Sequence, residues 1–306
     1  MDKIAFLFAG QGSQYVGMGK DLNDNAVARG IFDNAKKMRP DILNIMWGDA
    51  DKLNQTINTQ LSMYCVDLAV AKVLQSKGIK PNAVAGFSLG EIAALCFSGI
   101  IDEKQGLELV DKRSTAMQAA SEQNPGCMIA VLRLDAKAVE GLLSKFKNAW
   151  CANYNSGQQT VVAAAASEAD RVIEEVTKQG GRAIKLKVSG AFHCPFMSSA
   201  SQTVAKFLKD IKLGSPSMPV YANSTAKPYG GDFKNLISKQ INSPVYFNQT
   251  IKNMLADGIN TFIEVGPGNV LGNLVKKICE ENAVSNIRVF SASDMLSIDN
   301  VVKELK

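Results

Sequence analysis

The stretch "AVAGFSLGEIAALCFSG" (83–99) sets one serine between two glycines, Gly86-Phe87-Ser88-Leu89-Gly90, in the pattern G-x-S-x-G. The bare pattern arises by accident too often to decide anything. Its context is more specific. "AVAGF" (83–87) is a short apolar run that reads as a buried strand, and "EIAALCFSG" (91–99) reads as a helix stopped by Gly99. Strand, sharp turn and helix in that order form a nucleophile elbow. The glycines leave room for the turn, and the helix start brings free N–H groups and a positive dipole end beside Ser88.

Outward from the elbow, the same alternation continues. "IAFLF" (4–8) is a strand followed by the loop "AGQGSQ", and residues 60–77 are a helix stopped by Gly78. Helices over 91–98 and 103–121 follow strand 83–87, which predicts a parallel sheet with helical crossovers. At "QNPGC" (123–127) the order changes. Strands over 128–134, 149–154, 160–165 and 182–188, with helices over 136–146 and 167–179, give βαββαβ, the ferredoxin-like order. The chain then returns to the first pattern: a helix from Pro195 to about 210, a strand over 218–223, and helices over 233–241 and 247–257. A strand over 261–266, a Gly-opened helix, the strand "RVFSAS" and a short helix over 294–306 complete it. The fold expected is α/β, a hydrolase-like parallel-sheet large domain (1–124 and 191–306) carrying an inserted ferredoxin-like small domain (125–190).

Composition narrows the function classes. The chain has 306 residues, 46% hydrophobic and 21% charged, enough for a large core. No apolar run reaches the ~18 residues a membrane span needs. The N-terminal "MDKIAFLFAGQGSQ" reads as a strand and its loop, not a signal peptide. Six cysteines are scattered with no C-x-x-C pair, which argues against a metal site or a disulfide framework and for a reduced, cytoplasmic protein. Net charge is +5 without a basic run or basic-aromatic stripe, so nucleic acid is not suggested, while an acidic or phosphate-bearing partner would suit.

Ser88 is a poor nucleophile unless a base takes its proton. The chain has one histidine, His193, so a Ser–His mechanism must use it. No acid stands at a diagnostic position to orient the imidazole, and a backbone carbonyl would serve equally. Leu89 N–H, just after the nucleophile, is one natural oxyanion donor, and the loop "GQGSQ" (10–14) is the candidate source of a second. Cys194 adjoins His193, but adjacent residues on an extended chain face opposite ways, which weakens it as a nucleophile.

"FAGQGSQ", "GFSLGE", "LVDKRSTAMQ", "VSGAFHCPFM" and "FIEVGPGNVL" lie in order along the chain. In sequence and spacing they resemble the malonyl-CoA:acyl carrier protein transacylases, a family that includes the acyltransferase domains of polyketide and fatty acid synthases. The resemblance runs from about residue 3 to 290. It implies that Ser88 carries the acyl group and His193 is its general base and acid. Gln11 and Leu89 would be the backbone oxyanion donors, Arg113 would hold the free carboxylate of malonyl, and the Gln240 carbonyl would orient the histidine. Phe87, Met117 and Phe192 would line the acyl pocket. Malonyl-CoA and acyl carrier protein are the implied partners, no metal or organic cofactor is implied, and a monomer is expected. Three positions depart from the family: Phe87 replaces the usual His, Ala9 replaces a usual Pro, and "NYNSGQQ" lacks the Pro after Asn-Ser.

Two other readings compete. An α/β-hydrolase-type esterase or thioesterase would share the elbow, but not the insert between Ser88 and His193. A non-catalytic carrier-binding subunit would need neither residue. A free-standing polyketide acyltransferase remains a variant of the favoured reading. Arg182, Lys185, Lys187, Lys276 and Lys277 are expected to flank the cleft and meet an acidic carrier protein.

Overall fold

A computed structural model describes residues 2–306. In chain order, β1 (Ile4–Phe8) is followed by α1 (Arg29–Met38), α2 (Ile42–Gly48), α3 (Ala50–Leu53) and α4 (Thr56–Ser76). Next come β2 (Ala83–Gly86), α5 (Gly90–Phe97) and α6 (Glu103–Gln123). The insert is β3 (Gly126–Leu132), α7 (Ala136–Leu143), β4 (Ala149–Ser156), β5 (Gln159–Ala165), α8 (Ala169–Lys178) and β6 (Arg182–Lys185). The remainder is α9 (Ser198–Leu208), β7 (Val220–Tyr221), α10 (Phe233–Lys239), α11 (Phe247–Ala256), β8 (Thr261–Val265), α12 (Val270–Glu281), β9 (Arg288–Ala292) and α13 (Met295–Leu305).

Five strands form one parallel sheet in the order β7-β2-β1-β8-β9. β1 is apolar at every position because both of its faces are covered. Phe6 and Phe8 point into a core shared with α4, α5 and α6. Ala5 and Leu7, on the other face, pack with Ile251 of α11 and Leu274 of α12. The period of two along the strand divides them this way.

The other four strands form an antiparallel sheet in the order β4-β5-β3-β6, the arrangement the βαββαβ reading anticipated. Ile129 and Val131 of β3 face α7 and α8, while Met128 and Ala130 face the core shared with the large sheet. A cleft therefore lies between the two sheets.

Three expectations shift. Strand 182–188 ends at Lys185: Leu186 N–H still bonds to Met128, but Val188 N–H folds back onto the Leu186 carbonyl. Strand 218–223 shrinks to Val220–Tyr221 at the sheet edge, where Pro219 has no N–H and contributes only its carbonyl, to Val84 N–H. Helices α1 to α3, between the first loop and α4, were not read from the sequence at all.

Candidate active site

The elbow is built from backbone contacts. A Cβ on Gly86 would lie 1.9 Å from the Gly90 carbonyl carbon, and one on Gly90 would lie 2.2 Å from the Phe8 carbonyl oxygen. Backbone cannot yield as a side-chain tip can, so both positions require glycine. Ser88 between them has φ 53°, in the left-handed region that costs a serine about 1–3 kcal/mol.

Asn223 holds that turn. Its Oδ1 accepts the Ser88 N–H at 2.7 Å and its Nδ2 donates to the Gly86 carbonyl at 2.6 Å. Its own N–H donates to Glu91 at 2.6 Å, and Tyr229 O–H donates to the other Glu91 oxygen. Burial pushes the Glu91 carboxyl up to about 7, against the opposing pull of Tyr229, Asn223 and Arg113.

His193, 3% exposed and also in the left-handed region at φ 57°, reaches across the cleft floor. Its Nδ1 faces two carbonyls, Gln240 at 3.0 Å and Ser243 at 3.2 Å. Carbonyls only accept, so Nδ1 carries the hydrogen and Nε2 carries the lone pair. Nε2 lies 2.7 Å from Ser88 Oγ. Burial first, then the Arg113 charge, lowers the imidazole to about 4, opposed by the two carbonyls. At neutral pH the ring is therefore uncharged and able to accept a proton.

Arg113 was a helix residue with nothing in its local sequence to mark it as buried; in the structure it is 1% exposed. One of its terminal nitrogens donates to Gln60 Oε1 at 2.7 Å. The other donates to Ser88 Oγ at 3.1 Å and Gln240 Oε1 at 3.0 Å. Burial lowers the guanidinium to about 10, with Glu91 opposing, so it stays charged. Gln240 does more than offer a carbonyl: its Nε2 also donates to the Ser88 carbonyl.

The structure thus joins Ser88, His193, Arg113 and Gln240 through direct hydrogen bonds. Gln11, Phe87, Ser88, Met117, Phe192 and His193 line one cleft, of about 190 Å³, together with Asn153 and Asn155 from β4. Phe87 packs edge-on against Phe247, 5.5 Å between ring centres. Leu89 is fully buried behind the serine, at the N-cap of α5. The Gln11 loop abuts the elbow, since a Cβ on Gly10 would meet the Phe87 carbonyl at 2.7 Å. Among the described residues, neither the Gln11 nor the Leu89 N–H has an intramolecular acceptor. Cys194 is buried, donates to the Ala191 carbonyl at 3.2 Å, and its thiol is pushed up to about 12 by burial. Gln60, Asn223 and Glu91 belong to the site but were missed in the sequence.

A serine on an elbow, a neutral imidazole against its hydroxyl and free backbone donors beside it are the groups that acyl transfer through a serine requires. The family model of the acyl transferase domain matches residues 5–296, and the chain belongs to that family and, within it, to the malonyl CoA-acyl carrier protein transacylases. It is 35% identical over 317 residues to the malonyl CoA-acyl carrier protein transacylase of Bacillus subtilis strain 168, covering 100% of this chain and 98% of that one. The crystal structure of the Clostridium perfringens transacylase superposes with a TM-score of 0.93 at 34% identity, over 99% of this chain and 97% of that one. A type II PKS acyl-carrier protein in complex with its malonyl-transacylase gives a TM-score of 0.93 at 29% identity, over 99% and 100% of the chains. No helix of the described residues is long and apolar enough to cross a membrane.

Proposed function

We propose that this protein carries a malonyl group from malonyl-CoA to the phosphopantetheine thiol of acyl carrier protein through an ester on Ser88, supplying extender units for fatty acid synthesis. One observation carries the reading: a buried guanidinium, Arg113, lies within hydrogen-bond distance of the same Ser88 hydroxyl that His193 engages. An esterase needs the serine and the imidazole. A buried cation beside them selects an acyl group that ends in a carboxylate.

The steps follow from the hydrogen bonds. Ser88 Oγ attacks the thioester carbonyl as its proton passes to His193 Nε2. The Gln240 and Ser243 carbonyls hold the Nδ1 hydrogen and stabilise the imidazolium. The Gln11 and Leu89 N–H groups receive the oxyanion. His193 returns the proton to the departing CoA sulfur. The carrier thiol then enters, gives its proton to His193 and attacks the ester, and His193 passes that proton to the departing Ser88 Oγ. Arg113 holds the malonyl carboxylate throughout. Residues 125–190 act as a separate domain forming one wall of the cleft. The six buried, free cysteines suit a reducing compartment, and the cytoplasm is the proposed location.

Intact-mass measurement after mixing with malonyl-CoA should show one malonyl addition, mapped to Ser88 and absent from Ser88→Ala. With carrier protein present, the label should move to the carrier. An adduct on Cys194, or release of free malonate in place of transfer, would overturn the proposal.

A further inference from the structure

Gln60 stands on α4 among core residues and is 1% exposed. A buried amide needs partners, and here they are specific. Its Oε1 accepts from Arg113 at 2.7 Å, and its Nε2 points to Met117 Sδ at 3.5 Å. The orientation is forced, because a guanidinium has only donors.

Arg113 is therefore held by neutral acceptors: the amide oxygens of Gln60 and Gln240, and the hydroxyl of Ser88. Its Nε–H, also buried, has no partner among the described residues. Glu91, the carboxyl whose field reaches the guanidinium, is already engaged by Asn223 N–H and Tyr229 O–H. Buried arginines are ordinarily paired with acids, because an unpaired buried charge is costly. An acid at position 60 would fix the guanidinium at least as firmly, and it would also cancel the charge.

We propose that Gln60 is a specificity-determining positioning residue, which fixes Arg113 through a neutral amide so that the full guanidinium charge remains for the carboxylate of a dicarboxylic acyl thioester. The inference rests on the acyl-transfer reading above. It separates two jobs that one acid would merge, holding the cation and leaving it unsatisfied.

The test compares Gln60→Glu with Gln60→Met, an uncharged side chain of similar length that removes the acceptor. Each is assayed for loading of malonyl-CoA and of acetyl-CoA, alongside thermal melting. Gln60→Glu is expected to cut kcat/KM for malonyl-CoA by about 100-fold, as a compensating charge one hydrogen bond away should. Acetyl-CoA loading should change by only a few-fold, so the malonyl-to-acetyl ratio collapses. Gln60→Met, which keeps the charge but removes its anchor, should lower malonyl-CoA loading by about 10-fold and acetyl-CoA loading by less, so the ratio falls only part of the way. If Gln60→Glu keeps the wild-type ratio, or if Gln60→Met lowers it as far as Gln60→Glu does, the neutral-amide role is wrong. Should the Glu variant not fold, a partial fall of the ratio in Gln60→Met supports the positioning role and an unchanged ratio overturns it. Failure of the underlying reading would appear differently, as a wild-type protein that forms no malonyl ester on Ser88.

Discussion

Replacing Asn223 by alanine tests whether the elbow is held from outside. The side chain is 3% exposed and satisfies two backbone groups of the turn, the Ser88 N–H at 2.7 Å and the Gly86 carbonyl at 2.6 Å. Truncation leaves both without that partner. An unsatisfied buried polar group costs about 1–3 kcal/mol, so the pair should cost roughly 2–6 kcal/mol. At roughly 2–3 °C per kcal/mol for a chain of this size, the melting temperature should fall by about 4–18 °C. Activity should fall further than stability suggests. Ser88 sits at a strained φ of 53°, and without its anchor the hydroxyl drifts from His193. A displacement of about 1 Å costs on the order of 100-fold in rate. Scanning calorimetry and the rate of malonyl loading at 25 °C check both parts. Asn223→Asp, which keeps the acceptor for Ser88 N–H but loses the donor to Gly86, should fall between. An alanine variant melting within about 1 °C of wild type and loading at full rate would refute the reasoning.

Burial holds His193 at about 4 when folded, whereas the unfolded chain takes up that proton near the ordinary 6.5. Its contribution to stability is therefore whole above pH 6.5 and lost as pH falls from 6.5 to 4, and urea melts of wild type against His193→Gln across that range should show the difference. By the same shift kcat/KM for malonyl-CoA should stay level down through pH 6; an acidic limb centred at 6.5 would contradict it. Phe192, 7% exposed, walls the acyl cleft, so Phe192→Ser should narrow the preference for malonyl-CoA over methylmalonyl-CoA, a methyl being worth about 1–3 kcal/mol. Equal wild-type use of the two thioesters in a competition assay would end the volume argument. Changing Lys276 and Lys277 on α12 to Glu should raise KM for carrier protein and reduce its salt dependence while leaving malonyl-CoA kinetics alone. Equal effects on both substrates would remove the docking role.

The large sheet, the insert and the Ser88–His193 pair were legible because each has a local signature. Two glycines bracket the serine, the strand periods are regular, and there is one histidine to choose. The third member of the site had no such mark. It is a backbone carbonyl, at Gln240, and every residue has one. Arg113 sits in a helix rich in charge, and the face it presents depends on α4 packing alongside, which no local pattern records. Glu91 carried a usable signal, since it is the one charged residue in the apolar run 89–97, whereas Gln60 stands among the polar residues Asn58, Thr59 and Ser62 and had no such mark. Asn223 carried none, because its role is defined by the elbow it meets across the sheet. Helix α1 carried a legible pattern, with Ile31, Phe32 and Ala35 buried at helical spacing, and was passed over, whereas α3, at four residues, is too short for periodicity to accumulate.

The sheet order has a consequence for biosynthesis. β1 lies between β2 and β8, so Ile4–Phe8 must wait for Thr261–Val265 before its second edge is closed. At about 5–20 residues per second a ribosome takes on the order of tens of seconds to deliver that partner. Until then the nascent chain presents a central, wholly apolar strand with an open edge, the kind of segment that chaperones bind and aggregates recruit. On the proposed mechanism, the same delay keeps the elbow serine inert during synthesis. The carbonyls that orient His193 come from Gln240 and Ser243, so no released fragment ending before them could consume acyl thioesters.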